Sequence, residues 1–126
     1  MPETWLQQLQ DPVSRQVVIE AINSLFKRWR LHPVNQAELL GLSDMSELDQ
    51  YTLPNKDPSV FERIGHLLAI DRDLLQHYPY QASKREQWIW QSLPQLHDQT
   101  PMAFMLREGL NGIKFIRQIL ESKRAA

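Results

Sequence analysis

The residues that could bind a metal ion or catalyse a reaction lie far apart along this sequence of 126 residues. No histidine has a second histidine three or four positions away. The four are His32, His66, His77 and His97. A metal site needs His or carboxylate ligands that converge on one point, and the sequence contains neither a nucleophile elbow nor a glycine-rich phosphate loop. We therefore expect no metal ion, no other cofactor and no enzymatic activity.

Two close pairs of acidic residues, Asp71 with Asp73 and Glu47 with Asp49, are the other candidates for chemistry. Both pairs lie next to predicted helix starts. Carboxylates at that end of a helix interact favourably with its dipole whatever the function of the protein. Helix capping therefore explains these pairs better than catalysis does.

The composition is that of an ordinary globular domain. Hydrophobic residues make up 42% and charged residues 23%, and the net charge of -1 creates no overall field that attracts nucleic acid. The absence of cysteine excludes disulfides, thiolate metal sites and a cysteine nucleophile. The first residues do not resemble an export signal, and no stretch of about 18 apolar residues occurs. We expect a cytoplasmic protein with no membrane partner.

Apolar residues recur at helical spacing almost throughout the chain, and no segment alternates for long enough to indicate a sheet. This pattern predicts an all-α protein, a compact bundle of about seven to eight short helices. Residues 1–80 are predicted to form a helical N-terminal part, beginning with a short helix around Trp5. Residues 81–126 form a second helical part, and both parts pack as one unit.

Proline and capping residues predict where several helices begin. Asp11 before Pro12, and Thr100 before Pro101, place a capping side chain ahead of a proline in the first helical position. The helix from Pro12 is expected to bury one apolar face. The residues of that face are Val17, Val18, Ala21, Ile22, Leu25, Phe26 and Trp29.

Two later helix starts are also predicted. Ser83 and Glu86 have the spacing of a capping box, for a helix that holds Trp88, Ile89 and Trp90. Another helix is expected to restart at Asp71.

Gly109 and Gly112 interrupt an otherwise helical pattern near the C-terminus. Glycine inside a helix costs about 1 kcal/mol relative to alanine, so we expect the two glycines to mark a junction. Gly109 in the left-handed conformation would end one helix in a Schellman motif that joins Leu110 to Met105. Asn111 would then cap the last helix, with Gly112 in its first turn.

The last predicted helix has a broader apolar face than one packing contact requires, because its apolar residues span roughly 160° at 100° per residue. They are Ile113, Phe115, Ile116, Ile119 and Leu120. On an earlier helix, Trp88 and Trp90 lie about 200° apart, so they cannot both face one core. Trp90 is either a binding hot spot or a ring that covers a loop of the same chain.

The spacing of Ala37, Gly41 and Ser43 matches the turn of a helix-turn-helix. The candidate DNA-contacting residues are Ser43, Ser46 and Gln50. Residues 34–62, however, contain six carboxylates and one lysine, a net charge of -5 that repels phosphate. The charge pattern therefore disfavours DNA binding by this motif.

Four blocks of sequence carry a family resemblance. They are "WRLHPVNQAELLGLS", "FERIGHLLAIDRDLLQHYP", Trp88 and "TPMAFMLREGLNGIKFIRQIL". In order and spacing they resemble the Xre/MbcA/ParS family of bacterial antitoxins, over about Ala21 to Glu121. The last block is similar to the family's pattern of a Thr-Pro start, two glycines and a closing helix.

The resemblance implies a helix-turn-helix-like N-terminal part and a small helical C-terminal part that binds a toxin. In that family the partner is usually a RES-type toxin, an enzyme that degrades NAD or ADP-ribosylates its targets. The antitoxin covers the active-site cleft of the toxin, and the complex represses its own operon. By the same analogy we expect a homodimer.

Carried over to this chain, the resemblance makes the helices from Pro101 to Leu120 the core of a toxin-binding module. It also makes Arg117 a candidate for reaching the toxin's anionic-ligand pocket. The predicted toxin-binding residues are Trp90, Pro101, Met105, Gly109, Gly112, Phe115, Ile116, Arg117, Ile119 and Leu120. The alternative is that the apolar residues form the protein's own core and that Arg117 lies on a solvated flank. The core alternative, which we favour, covers Met102, Met105, Ile113, Ile116 and Leu120.

One departure from the family pattern concerns the DNA-binding role. Leu48 and Tyr51 fill the apolar positions of the second helix only after a one-residue insertion, among acidic neighbours. The predicted function is therefore an antitoxin that occludes a partner enzyme with its C-terminal helices. The alternatives are a DNA-binding transcriptional repressor that uses residues 33–51 and a stand-alone helical scaffold without a toxin.

Overall fold

The computed structural model describes residues 12–49 and 59–125, and over these ranges the protein is all-α, as predicted. The α-helices are α1 (Pro12–Arg28), α2 (Pro33–Leu40), α3 (Ser46–Asp49), α4 (Ser59–His77), α5 (Ala82–Trp88), α6 (Pro101–Glu108) and α7 (Leu110–Ala125). A short 3₁₀ helix, Pro94–Leu96, lies between α5 and α6. The predicted helix around Trp5 lies outside the described residues.

Helix α4 lies at the centre of the bundle and packs against α1, α2, α5 and α7. Helix α6 packs against α2 and α7. One cluster of buried apolar side chains has members from all seven of these helices. Residues from both sides of position 80 therefore share a single hydrophobic core.

Helix α4 continues without interruption through Asp71, so the predicted restart at that residue is wrong. Ile70 and Leu74 are both fully buried, which shows that one apolar face runs through this point. The Asp71 carboxylate instead accepts a hydrogen bond of 2.7 Å from Arg28 at the end of α1. This acidic residue joins two helices and does not cap its own.

The buried face of α1 has the predicted centre but is narrower than predicted. The residues that it buries are Ile19, Ile22, Leu25, Phe26 and, just after the helix, Trp29. Val18 and Ala21 are half-buried at the margin. Val17 is 60% exposed, because it lies about 140° around the helix from the centre of the face.

The capping box predicted for α5 does not form. Gln81 precedes the helix without a side-chain hydrogen bond to it, and Ser83 lies inside the helix, where it cannot act as the N-cap. The helix also ends at Trp88, so Trp90 lies in the turn that follows.

The predicted start of α6 is confirmed. Thr100 Oγ1 accepts a hydrogen bond of 3.0 Å from the N–H of Ala103, and Pro101 occupies the first turn. Helix α1 begins at Pro12, as the proline indicated, whereas its predicted cap Asp11 lies outside the described residues. None of the helices described is both long and apolar enough to cross a membrane.

Candidate functional site

The corner between α6 and α7 consists of one glycine. Gly109 has the predicted positive φ, 66°, but its ψ of -140° lies outside the left-handed helical region, so that part of the prediction is wrong. Its N–H donates to the Met105 carbonyl at 2.8 Å, and its own carbonyl accepts from the N–H of Ile113 at 3.0 Å. Gly109 thus ends one helix and starts the next. Asn111 consequently lies inside α7 and does not cap it.

Gly112 allows α6 and α7 to approach each other closely. A Cβ atom at this position would lie 2.7 Å from Cβ of Glu108 and 3.1 Å from the carbonyl oxygen of Phe104. It would also lie 3.3 Å from Cα of Met105. Two of these three neighbours are backbone atoms, so a side chain does not fit unless a helix moves. The glycine therefore fixes how the two helices cross.

Half of the predicted toxin-binding residues are buried inside the protein. They are Pro101, Met105, Gly112, Ile116 and Leu120. Met105, Ile116 and Leu120 have no exposed surface and belong to the central hydrophobic cluster. In this structure they are core residues rather than contact residues, because the face of α7 that carries Ile116 and Leu120 packs against the bundle.

Phe115 is the exposed aromatic residue of α7. The residue is 41% exposed, and its ring centroid lies 5.4 Å from that of Phe104 on α6, with the ring planes tilted by 42°. The guanidinium carbon of Arg107 lies 5.5 Å from the centre of the Phe104 ring. Ile119, one turn after Phe115, is half-buried. We call Phe104, Arg107, Phe115 and Ile119 the C-terminal aromatic surface.

The C-terminal aromatic surface has the chemistry of a protein-binding patch. Two aromatic rings in tilted contact present rigid apolar area at small entropic cost. A cation beside the rings supplies the polar edge that is typical of protein interfaces. Arg107 donates a 3.0 Å hydrogen bond to the carboxylate of Glu108. The negative charge of Glu108 thus lies beside the positive charge at this edge of the surface.

Trp90 lies at a different place, beside the end of α1. Its indole Nε1 donates a 3.0 Å hydrogen bond to the carbonyl of Trp29, and the residue remains 45% exposed. It lines a cavity of about 230 Å³ with Arg28 and Arg30. The ring thus partly covers its own chain, while Phe115 packs on α6, so Trp90 and Phe115 belong to separate surfaces.

Arg117 is directed at α4 and is engaged within the chain. Its Nη1 donates a hydrogen bond of 2.8 Å to Nδ1 of His66, and its Nε lies 3.3 Å from a carboxylate oxygen of Glu121. Nearby, Nζ of Lys114 lies 3.4 Å from a carboxylate oxygen of Glu62, which is 3.8 Å from His66 Nε2. We call these five residues the His66 cluster.

The His66 cluster keeps its histidine uncharged. Burial lowers the pKa of His66, and the positive charge of Arg117 lowers the pKa further, with Glu62 opposing and Lys114 adding to the effect. The neutral ring can accept the Arg117 hydrogen bond through Nδ1. A cleft of about 210 Å³ beside the cluster is lined by His66, Lys114 and Arg117, and also by Gln118. In this arrangement Arg117 stabilises the contact between α4 and α7.

Helices α2 and α3 follow each other as in a helix-turn-helix, with Gly41 in the left-handed conformation at the end of α2. The Glu47 carboxylate accepts hydrogen bonds from the N–H groups of Ser43 and Asp44, both 3.1 Å long. The Asp44 carboxylate accepts one of 2.7 Å from the N–H of Ser46. These acidic side chains therefore stabilise the start of α3.

The surface around α3 is acidic. Ser43 and Ser46 are exposed, as a DNA contact would require, but Asp44 and Glu47 are exposed beside them, and Gln50 lies outside the described residues. Hydrogen bonds from Ser46 lower the pKa of the Asp44 carboxyl, which keeps its negative charge to lower pH. Phosphate is repelled at this surface, so the geometry gives no support to DNA binding.

No family model, no curated protein and no solved structure matches this chain. Across residues 12–49 and 59–125, no three His, Asp or Glu side chains are placed to hold a metal ion. The C-terminal aromatic surface is the candidate site, because Phe115 is exposed there in contact with Phe104. Trp90 and Tyr80 are exposed aromatics outside it.

Proposed function

We propose that this chain is an antitoxin of the Xre/MbcA/ParS type, which neutralises a RES-type enzyme by covering its active-site cleft. One observation carries the proposal. The inner face of α7 is completely buried through Ile113, Ile116 and Leu120, yet the helix also exposes Phe115 beside Phe104. Phe104 is half-buried and packs against the core, whereas the exposed side of Phe115 contributes nothing to it, as a docking surface requires.

The proposed contact differs from the one expected from the sequence. Phe115 and Ile119 keep their predicted role as contact residues, and Phe104 and Arg107 join them. Met105, Ile116 and Leu120, which are buried, leave the predicted set. Aromatic and arginine side chains carry most of the energy in many protein interfaces. Inhibition proceeds by occlusion, because α6 and α7 form a rigid corner that needs only to exclude the substrate of the enzyme.

The rigidity of the corner supports this mechanism. Gly109 joins α6 to α7 without an intervening loop, and Gly112 brings the two helices into close contact. The close crossing of α6 and α7 places the rings of Phe104 and Phe115 in contact in the free chain. A preorganised surface loses less conformational entropy on association than a mobile one does.

Co-expression with the enzyme encoded by the neighbouring gene tests the proposal. The wild-type chain is expected to protect the host, whereas Phe115→Glu places a charge in the docking surface and abolishes protection. Val34→Glu is the matched control, because Val34 is 77% exposed in the first turn of α2 and is not part of the C-terminal aromatic surface. Equal protection by both variants would refute the proposed surface.

A further inference from the structure

Arg63 of α4 lies between two turns that are distant in sequence. Its guanidinium group is next to Gly41, after α2, and next to Gly109, between α6 and α7. A Cβ atom at Gly41 would lie 3.1 Å from Cζ of Arg63, and one at Gly109 would lie 3.8 Å from Nη2. Among the residues described, these are the two glycines with positive φ.

The hydrogen bonds of Arg63 show what holds the guanidinium there. Nη1 donates to the Leu39 carbonyl at 3.2 Å, near the end of α2, where a positive charge interacts favourably with the helix dipole. Nε is buried without a hydrogen-bond partner. No carboxylate within the described ranges lies within ion-pair distance of the guanidinium. Within the described ranges, the group is therefore positioned by the Leu39 carbonyl and not by a carboxylate.

We infer that Arg63 is a positioning residue that couples the turn at Gly41 to the corner at Gly109. The guanidinium is hydrogen-bonded to Leu39 near the first turn and lies beside Gly109 at the second, so a displacement at Gly41 changes its position relative to Gly109. The corner at Gly109 sets the direction of α7, which carries Phe115. A change at the α2–α3 turn is thereby transmitted to the C-terminal aromatic surface.

The coupling goes beyond the proposed function, because it holds whichever partner the chain binds. A simpler role is that Arg63 only satisfies the Leu39 carbonyl at the end of α2. That role confines the effects of Arg63 to the α2–α3 turn. If Arg63 couples the turns, its substitution changes the local stability of both turns. A perturbation at Gly41 then also changes the stability of the corner at Gly109, and this depends on Arg63.

Amide hydrogen exchange of the full chain distinguishes these roles. The N–H of Leu42, bonded to the Ala37 carbonyl, reports on the first turn, and that of Ile113, bonded to the Gly109 carbonyl, reports on the corner. The variants are Gly41→Ala, Arg63→Met and the double substitution. Rates are taken relative to the slowest amides of α4, which correct for any change in global stability.

The expected result is that Gly41→Ala accelerates exchange at both reporters, by about 3- to 10-fold at Ile113. In the Arg63→Met background, Gly41→Ala is expected to accelerate exchange of the Leu42 N–H but not that of the Ile113 N–H. An unchanged rate at Ile113, or an equal change in both backgrounds, overturns the inference.

A second variant keeps the test decisive if Gly41→Ala does not fold. Arg63→Lys retains the positive charge but loses the planar group that lies beside both turns. Exchange is then expected to accelerate at Leu42 and at Ile113 together. Acceleration at Leu42 alone assigns Arg63 to the local role and overturns the coupling.

Discussion

Arg117 of α7 donates a 2.8 Å hydrogen bond to Nδ1 of His66 on α4, across 51 positions of sequence. The bond requires a neutral imidazole, because a protonated ring has no lone pair to accept it. Burial and the charge of Arg117 lower the pKa of His66 in agreement with this requirement. This hydrogen bond between the central helix and the last helix therefore depends on the protonation of one side chain.

Stability is expected to fall as the solution is acidified. The unfolded chain binds a proton at His66 near pH 6.5, whereas the folded chain resists protonation because the pKa of His66 is lowered. The contribution of His66 is fully present above the unfolded pKa and is lost as pH falls through the lower, folded pKa. Urea unfolding between pH 7.5 and pH 5 measures this loss.

The control is His66→Asn, which keeps an acceptor near Nδ1 but does not titrate. This variant is expected to lose less stability than the wild type over the same pH range. A pH dependence identical in both proteins would show that His66 is not the responsible group.

Gly41 and Gly109 are expected to respond differently to asparagine. Both have positive φ, but Gly41 has ψ 26° and Gly109 has ψ -140°. Asparagine tolerates the left-handed conformation of Gly41 better than alanine does, so Gly41→Asn should be less destabilising than Gly41→Ala. At Gly109 both substitutions are expected to cost about 1–3 kcal/mol, because that conformation is largely restricted to glycine.

Urea unfolding of the four variants checks this prediction. The alanine and asparagine variants at one position place Cβ against the same Arg63 atoms, so their difference isolates the backbone preference. If Gly109→Asn is clearly more stable than Gly109→Ala, the conformation assigned to the corner is incorrect.

Gly112→Ala is expected to destabilise the protein by about 1–3 kcal/mol. Alanine is ordinarily the better helix former by about 1 kcal/mol, but here its Cβ would lie within 2.7 Å of Glu108 Cβ and 3.1 Å of the Phe104 carbonyl oxygen. The thermodynamic measurement is again urea unfolding at neutral pH. An increase in stability would mean that α6 and α7 do not cross closely at this residue.

Asn111→Ala is the matched comparison one residue away. Asn111 is exposed inside α7, so its replacement should leave stability unchanged or raise it by a few tenths of a kcal/mol. Removing a true helix cap would instead cost about 1 kcal/mol. The sign of the stability change in Asn111→Ala therefore tests whether Asn111 lies inside α7, as in the structure, or caps the helix.

Local signals in the sequence predicted much of the fold. Pro12 and Pro101 mark helix starts because proline tolerates the first turn of a helix and disfavours its interior. The apolar spacing in α1 and α7 predicted buried faces, since burial of one face is what stabilises such helices. The exact conformation at Gly109 could not be predicted, because several backbone geometries end a helix at glycine.

The candidate site was predicted less well, because the relevant contacts join distant parts of the chain. The apolar breadth of α7 indicated an exposed edge, yet only the packing distinguishes Phe115 from the buried Ile116. The partner of Arg117 is His66, which no local pattern connects to it. Arg63 was missed for the same reason, since its neighbours Gly41 and Gly109 belong to different parts of the sequence.

Inhibition of the purified partner enzyme tests the central claim most directly. NAD consumption by the enzyme of the neighbouring gene is measured while wild-type chain, Phe115→Glu or Val34→Glu is added. The wild type and Val34→Glu are expected to inhibit equally, and Phe115→Glu to require roughly 30-fold higher concentration, as for loss of an interface hot spot. Equal inhibition by all three proteins, or no inhibition by the wild type, would contradict the account.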